Sequence, residues 1–342
     1  MVSERSLEVL RVVVQDYVAS REPVGSKAIV ERHAFGVSAA TIRNDMALLE
    51  EEGLIAAPHT SSGRVPTDKG YRVFVDRLTE LRPLSSAQRQ AIETFLGESV
   101  DLDDVLARTV RLLSQFTSQV AVAQYPSFGS ARIRHVELVA LGPTRLMTVL
   151  ITDTGRVDQR LLDVPVAVDE DTLAELRGRI NADLGGLALG DAATKLGGLP
   201  AAFPRERGEL VAAIVASLGD QVAANRQDRI VVAGAANLAR TERDFSGSIH
   251  PVLEALEEQV TMLKLFGEME IEVDGVRTSI GREHEAPGLG ETSVVASGYT
   301  AAGGGIAHLG VLGPTRMDYS NNMAAVRAVA RYLTRLLGED ER

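Results

Sequence analysis

The sequence predicts a multidomain α+β protein that begins with a helix-turn-helix module followed by a β-hairpin. Its length of 342 residues allows two or three domains. The first 78 residues show apolar positions at helical spacing, interrupted by glycine and proline. The remainder shows strand patterns, a mainly helical interval and strand patterns again, which is typical of a sheet domain that contains an insertion.

The composition is that of an ordinary folded protein and excludes several kinds of site. Apolar residues make up 45% and charged residues 24% of the chain. Because cysteine is absent, disulfides, thiolate metal sites and redox-sensing thiols are excluded. No apolar run is long enough to span a bilayer, and residues 1–8 lack the apolar stretch of a signal peptide. We therefore expect a cytoplasmic protein with no membrane partner.

The charge distribution shows where an anionic partner can dock. The net charge is −11, which argues against indiscriminate binding of nucleic acid. The first 78 residues, however, hold ten basic and eleven acidic side chains, so most of the acidic excess lies beyond them. The N-terminal quarter is therefore the best candidate for a local DNA-binding face.

Three consecutive helices are predicted in this quarter. Apolar residues at helical spacing predict an amphipathic helix over residues 3–20, and Pro23–Gly25 ends it. Ser26 is expected to cap a short second helix, and Ser38 a third over residues 39–52. The tight turn between the second and third helices predicts a helix-turn-helix core.

The third helix has one apolar side and one side suited to a DNA major groove. Ile42, Met46 and Leu49 share the apolar side. Arginine pairs with guanine and asparagine with adenine, while small residues permit close approach. The alternative is a solvated face on an ordinary helical bundle. The opposite side presents Ala40, Arg43, Asn44 and Ala47, with Thr41 at its edge.

The segment after the third helix has the layout of a wing. Residues 54–58 form an expected strand, and residues 59–66 a tip of small side chains that carries Arg64. Hydroxyl and backbone N–H groups there can position phosphates, and an arginine can enter a narrow minor groove. A further helix begins at residues 67–72. The alternative is an exposed hairpin followed by a purely structural helix.

The succession of helix, hairpin and basic flank favours DNA binding. Arg43 and Asn44 are the expected base readers. The expected phosphate contacts are Lys27, Arg64, Lys69 and Arg72. The full set of predicted DNA-contacting residues is Ser26, Lys27, Ser38, Ala40, Thr41, Arg43, Asn44, Ala47, Thr60, Ser61, Ser62, Gly63, Arg64, Lys69, Tyr71 and Arg72.

Several strings in the sequence resemble the HrcA family of bacterial heat-inducible transcription repressors. Two lie in the third helix and just beyond it, at Thr41–Met46 and Glu50–Ile55, with Leu48 between them. The most specific is the long string over Pro58–Arg72. A further string at Gly310–Tyr319 is similar to the family's C-terminal signature, so the resemblance extends over the chain.

The resemblance implies a fold and a set of partners. It implies a winged-helix DNA-binding domain at 1–82, a GAF-like α/β sensor domain at 83–189 and 266–342, and an inserted, mainly helical dimerisation domain at 190–265. It also implies repression of chaperone operons by a homodimer on a double-stranded, inverted-repeat operator of the CIRCE type. The GroEL chaperonin would maintain the active state.

The remaining three-quarters of the chain is described by periodicity alone. Residues 81–86 are the expected hinge after the N-terminal domain. Helices are predicted at 87–122, 170–184, 205–224, 248–266 and about 322–337. Strands are predicted at 135–141, 146–152, 157–164, 229–233, 269–273, 276–280, 292–297 and 306–312.

One short string occurs twice, at Leu141–Leu146 and at Leu312–Met317. Each Gly-Pro pair is expected to end a strand. The functional interpretation is a pair of turns that line a ligand pocket or a domain contact. The alternative, which we favour for the first copy, is chance reuse of the same turn chemistry, whereas the second copy belongs to the family-like signature and is expected to serve the architecture.

No catalytic or cofactor-binding motif emerges. The sequence lacks a G-x-S-x-G elbow, a phosphate-binding loop and an H-E-x-x-H helix, and its histidines show no metal-binding spacing. We therefore expect no cofactor, no metal and no enzymatic activity. Two functions are compared: an operator-binding dimeric repressor released on heat stress, and a metabolite-responsive winged-helix repressor with a small molecule in its sensor domain.

Overall fold

The computed structural model describes residues 2–59, 62–78, 84–126, 131–153, 155–204, 207–226, 229–245, 247–273, 275–284, 286–301 and 306–338. Over these residues the chain has a mixed α+β structure, which confirms the predicted class. Each helix in this part of the chain is either too short or too polar to cross a membrane.

The N-terminal module consists of helices around a small hairpin. Its buried side chains recur at helical spacing in the first three helices, and they pack into one core with the hairpin. The hairpin strands are antiparallel, with Ile55 opposite Pro66. The elements are α1 (Glu4–Ser20), α2 (Ser26–Arg32), α3 (Ala39–Glu51), β1 (Ile55–Ala56), β2 (Val65–Pro66) and α4 (Asp68–Asp76).

Side-chain caps fix where these helices begin. Ser38 Oγ accepts a hydrogen bond from the Thr41 N–H at 3.2 Å, as the sequence predicts for α3. Thr67 caps α4 in the same way. The prediction for α2 is wrong, because Gly25 occupies the N-cap position without a side-chain hydrogen bond and Ser26 is the first helical residue.

A five-stranded antiparallel sheet forms the centre of the C-terminal half. Its strand order is β7-β3-β10-β9-β8. Helices α5, α6 and α13 belong to the same domain, and α13 lies against β9. The elements are α5 (Ser86–Gly97), α6 (Leu102–Thr117), β3 (Val120–Gln124), β7 (Ile230–Ala233), β8 (Val276–Ile280), β9 (Thr292–Thr300), β10 (Ile306–Pro314) and α13 (Tyr319–Gly338).

Helices cover both faces of this sheet. Along β3, Ala121 and Ala123 face a core shared with α6 and α13. Val120 and Val122 face the opposite core, which is formed with α10 (Ala236–Arg240), α11 (His250–Glu257) and α12 (Gln259–Glu268). The predicted single helix over 87–122 is therefore wrong in two respects. Residues 98–101 divide it into α5 and α6, and its last residues form a strand that is buried on both faces.

A second unit, at residues 131–226, is inserted between β3 and β7. It has a separate three-stranded sheet of order β4-β5-β6 and its own hydrophobic core. This strand pairing shows that the expected insertion limits of 190–265 are wrong. The strands at 133–163 form a sheet of their own and therefore belong to the insertion. The helices at 250–268 pack on the five-stranded sheet and therefore do not. The elements are β4 (Ile133–Gly142), β5 (Arg145–Thr152), β6 (Val157–Asp163), α7 (Glu170–Leu184), α8 (Leu189–Leu196) and α9 (Gly208–Arg226).

Three smaller predictions are also wrong. The helix expected at 248–266 is two helices, α11 and α12, separated at Glu258. The strand expected at 269–273 is a single parallel bridge between Val273 and Gly298. The last helix begins at Tyr319 rather than near residue 322. Residues 81–83 of the expected hinge lie outside the described residues.

The N-terminal module packs directly on the five-stranded domain. Helix α4 lies against β8, and one hydrophobic core runs from the module into the domain. At this junction the rings of Tyr71 and Tyr319 lie 5.6 Å apart between centroids. The module is therefore held by side-chain packing as well as by the chain connection.

Candidate nucleic-acid interface

Helix α3 presents the two faces that its sequence predicts. Ile42 and Leu49 are fully buried and Met46 is nearly so, and together they attach the helix to α1 and α2. The opposite face is exposed over Ala40, Arg43, Asn44 and Ala47, with Thr41 half-buried at its edge. The side chains of Ala40 and Ala47 are small, so this face can approach a flat or grooved partner closely.

The two polar side chains on this face are available to a partner. Within the described residues, no hydrogen bond or ion pair engages the side chain of Arg43 or Asn44. Ser38, which directly precedes α3, and Lys27 on α2 are also exposed. A planar guanidinium and a carboxamide on one exposed helix face are the groups that read guanine and adenine edges.

A buried acid holds α3 in place, and the sequence analysis did not identify it. Asp45 is 2% exposed and lies on the apolar side of the helix. It accepts hydrogen bonds from Arg5 Nε at 2.8 Å and Ser6 Oγ at 2.9 Å, both on α1. The hydrogen bond from Arg5 lowers the pKa of Asp45 below its usual value. Its signal in the sequence is an acid spaced with Ile42 and Leu49, which requires a buried partner.

The hairpin packs against the turn between α1 and α2. Backbone hydrogen bonds join Val24 and Arg64 in both directions, at 2.9 and 2.8 Å. A Cβ added to Gly63 would lie 2.5 Å from the Val24 carbonyl group, so this glycine serves close backbone packing. Thr60 and Ser61, two predicted DNA contacts at the tip, lie outside the described residues.

The remaining polar groups of the hairpin make contacts within the chain. Ser62 Oγ accepts a hydrogen bond from the His59 N–H at 3.0 Å and donates one to the His59 carbonyl at 2.7 Å, which closes the turn. Arg64 pairs with Glu50 at 2.8 Å. Lys69 Nζ donates to the Glu52 carbonyl at 2.7 Å. These groups therefore attach the hairpin and α4 to the C-terminal end of α3.

Three of the predicted DNA contacts are buried or already paired within the chain. Tyr71 is 3% exposed and packs on Tyr319, and burial raises its pKa well above the usual value, so its assignment as a DNA contact is corrected. Ser26 is also buried, because it lies inside the first turn of α2. Arg72 pairs with Glu283 of the C-terminal domain at 2.7 Å and donates to the Thr278 carbonyl at 2.6 Å.

A cluster around Asp244 of the C-terminal domain also joins the N-terminal module to that domain, through the Arg21–Asp244 ion pair and the hydrogen bond from Arg316 to Val18. Arg316 pairs with Asp244 at 2.8 Å, with both side chains nearly buried, and it also donates to the Val18 carbonyl on α1. Arg21 reaches the same carboxylate at 3.1 Å. Arg316 belongs to the second copy of the repeated string, which therefore lies at a domain contact. In the first copy Arg145 forms an exposed pair with Asp163 and contacts no other domain through it.

The described residues contain no cluster of three His, Asp or Glu side chains in an arrangement that could hold a metal ion. The site is thus a surface of one exposed helix, with a hairpin and α4 beside it. Its chemistry is that of polar recognition and close surface contact.

Comparison with known proteins identifies the family. Residues 103–323 match the model of the HrcA protein C-terminal domain. The heat-inducible transcription repressor HrcA of Clavibacter michiganensis is 68% identical over 99% of this chain and all of its own length. The chain belongs to the HrcA family. The corresponding HrcA repressor of Leifsonia xyli is 65% identical over the same shares of the two chains.

HrcA membership settles the general function. The chain is a transcriptional repressor of heat-shock genes and belongs to a family of regulators rather than enzymes. A crystal structure of a hypothetical protein, at 2.2 Å resolution, has a TM-score of 0.74 and covers 98% of this chain and 99% of its own. At 24% sequence identity, this likeness shows that the whole fold is shared.

Proposed function

We propose that the exposed face of α3 reads base edges in the major groove of an operator in front of chaperone genes. The observation that supports this proposal is the presence of Arg43 and Asn44, exposed and without partners among the described residues, between two alanines. The serine-capped start of α3 adds backbone N–H groups that favour a phosphate. In this proposal the module is a winged helix, with residues 55–66 as its wing.

The phosphate contacts divide into two groups. Lys27 is exposed and ready to neutralise a phosphate. Arg64, Lys69 and Arg72 contact a phosphate only after they exchange their present partners, Glu50, the Glu52 carbonyl and Glu283. Such exchange is feasible for the two ion pairs, because their side chains are partly exposed and exposed pairs contribute at most about 1 kcal/mol.

We further propose that the protein binds its operator as a homodimer. A twofold dimer requires a site of matching symmetry, so the proposed operator is an inverted repeat of the CIRCE type. The unit at 131–226 is the proposed dimerisation domain, and the five-stranded domain is the proposed GAF-like sensor. Heat would release the operator by loosening the dimer or the module, and the GroEL chaperonin would restore the active state.

A binding-site selection with the purified full-length protein tests DNA recognition. The expected winner is an inverted repeat whose half-sites face the two α3 helices. With about 6–10 phosphate contacts in a dimer, affinity for that site is expected to fall by roughly 10³–10⁵ between 50 and 200 mM salt. Enrichment of no sequence, or a direct repeat, would contradict the proposal.

The heat response has a separate test. The occupied operator is incubated at rising temperature while dimer content and DNA occupancy are recorded together. The proposal expects both to fall before the chain unfolds globally, and chaperonin to restore them on cooling. A protein that stays dimeric and bound through heat shock without chaperonin would exclude this mode of release.

A further inference from the structure

A groove lies between α5 and α13, on the side of the C-terminal domain that adjoins the N-terminal module. Its volume is about 410 Å³. Its apolar wall comes from Leu84 and Ile92 on one side and from Ala324 and Ala328 on the other, with the ring of Tyr332 beside them. This size and lining match those of pockets that hold small organic molecules.

The rim of the groove is strongly basic in an acidic protein. Arg327, Arg331 and Arg335 follow one another at four-residue intervals on α13, so they share one face of the helix. Arg89 approaches from α5. Glu93 is the acid among the residues that line the groove, so the basic groups exceed the acidic ones by three.

The pairing within the groove leaves basic groups for a ligand. Glu93 lies 3.7 Å from Arg335, and both side chains are more than half exposed, so this pair is weak. Arg327 Nε is buried and has no hydrogen-bond partner in the described part of the chain. A buried donor without a partner is costly, so the guanidinium of Arg327 is held at the groove without an acceptor for its Nε within the described residues.

We propose that this groove binds a small amphipathic organic anion. Its carboxylate or phosphate group contacts the guanidinium groups of Arg327 and Arg89, and its apolar body lies along Ile92 and Ala328. Guanidinium groups suit both head groups, because they donate parallel hydrogen bonds to paired oxygens. The proposal concerns a ligand of the C-terminal domain and goes beyond DNA recognition, which it does not require.

The position of the groove gives such a ligand access to the domain junction. Leu84 and Ala324 also line a neighbouring cavity of about 820 Å³, whose other walls include α1 and Phe74 of α4. A ligand in the groove therefore lies beside the surface on which the N-terminal module packs. This position is what a repressor that responds to a metabolite requires.

Titration calorimetry on the full-length protein tests the proposal with decanoate, decyl phosphate and the neutral control decanol. We expect one site per chain for at least one anion and at least tenfold weaker binding of decanol. Arg327→Gln is expected to weaken anion binding by roughly tenfold, which is typical for loss of a charged hydrogen bond. Arg134→Gln, an exposed arginine on β4, is the matched control and should change nothing.

Ala328→Leu provides a second variant, because it fills the groove without altering its charge, and it should weaken anion binding by at least as much as Arg327→Gln. The proposal is overturned if neither anion binds, or if decanol binds as tightly as the anions. It is also overturned if both Arg327→Gln and Ala328→Leu leave anion binding intact. A third contradicting result is that these variants dissociate the proposed homodimer, because the groove would then hold a second copy of the chain.

Discussion

The exposed face of α3 and the hairpin-α4 segment use similar polar residues in opposite ways. On α3, Arg43 and Asn44 extend from a rigid helix, without partners among the described residues. Over residues 62–72, the arginines and the lysine contact Glu50, the Glu52 carbonyl and Glu283. The first region therefore exposes polar groups that no described residue engages, and the second attaches α3 to the rest of the molecule.

This difference shows that a distinctive sequence string does not by itself identify the residues that contact DNA. The string over Pro58–Arg72 resembles the family most strongly, yet much of it performs packing. Gly63 lies against Val24, and the ring of Tyr71 packs against that of Tyr319 in a tilted arrangement. A reading helix needs such a frame, because base recognition depends on a fixed position in the groove.

The largest change in stability is expected at Gly70, in the hairpin-α4 segment that packs on the rest of the molecule. A Cβ at this position would overlap the Leu54 carbonyl oxygen, and backbone cannot move aside cheaply. Gly70→Ala should therefore lower the free energy of unfolding by about 3 kcal/mol, measured by urea denaturation. The matched control is Gly178→Ala on α7, where a Cβ meets nothing within 4 Å, with an expected gain of roughly 0.5–1 kcal/mol. Equal changes at the two glycines would refute the packing role.

The next effect concerns the acid that holds α3. Asp45→Asn should lower the free energy of unfolding by about 2 kcal/mol at neutral pH, because it weakens charged hydrogen bonds from Arg5 and Ser6. Since Arg5 lowers the pKa of folded Asp45, the carboxylate stabilises the fold above its unfolded pKa of about 3.9. That stabilisation disappears as the pH falls through the lower folded value.

The wild type and Asp45→Asn should therefore converge in stability when urea denaturation is repeated below about pH 4. Glu4→Gln is the control, because the Glu4–Arg77 pair is highly exposed and should contribute little. A difference between wild type and Asp45→Asn that stays constant down to pH 2 would contradict the assigned role of the carboxylate.

The smallest effect is expected at the junction between α4 and the C-terminal domain. A double-mutant cycle of Arg72→Gln and Glu283→Gln should give a coupling energy of up to about 1 kcal/mol in unfolding. If Arg72 exchanges Glu283 for a phosphate on the operator, Arg72→Gln also reduces the salt slope of DNA binding by about one, whereas an unchanged slope shows that Arg72 serves packing alone. The cycle measures the strength of the pair in the free protein, and the salt slope decides whether Arg72 also contacts DNA.

Local patterns account for the part of the site that the sequence predicts. The cap at Ser38 and the 3.6-residue spacing of Ile42, Met46 and Leu49 suffice to define which face of α3 is exposed, because both depend on neighbouring residues. Periodicity also locates strands β4–β6. These features need no knowledge of distant parts of the chain.

The wrong predictions depend on distant contacts. Tyr71 looks like a surface residue beside Lys69, but its partner Tyr319 lies more than 200 residues away. The strand at Val120–Gln124 is buried on both faces, so it lacks the alternation that would distinguish it from a helix. The limits of the insertion likewise follow from which strands pair.

The central claim, that α3 reads bases, is tested most directly by comparing Arg43→Ala with Lys27→Ala on the selected operator and on random DNA. We predict that Arg43→Ala reduces discrimination between the two DNAs by about 1–3 kcal/mol, while Lys27→Ala weakens both alike and lowers the salt slope by about one. Equal losses on operator and random DNA for Arg43→Ala would contradict the claim that this helix face recognises sequence.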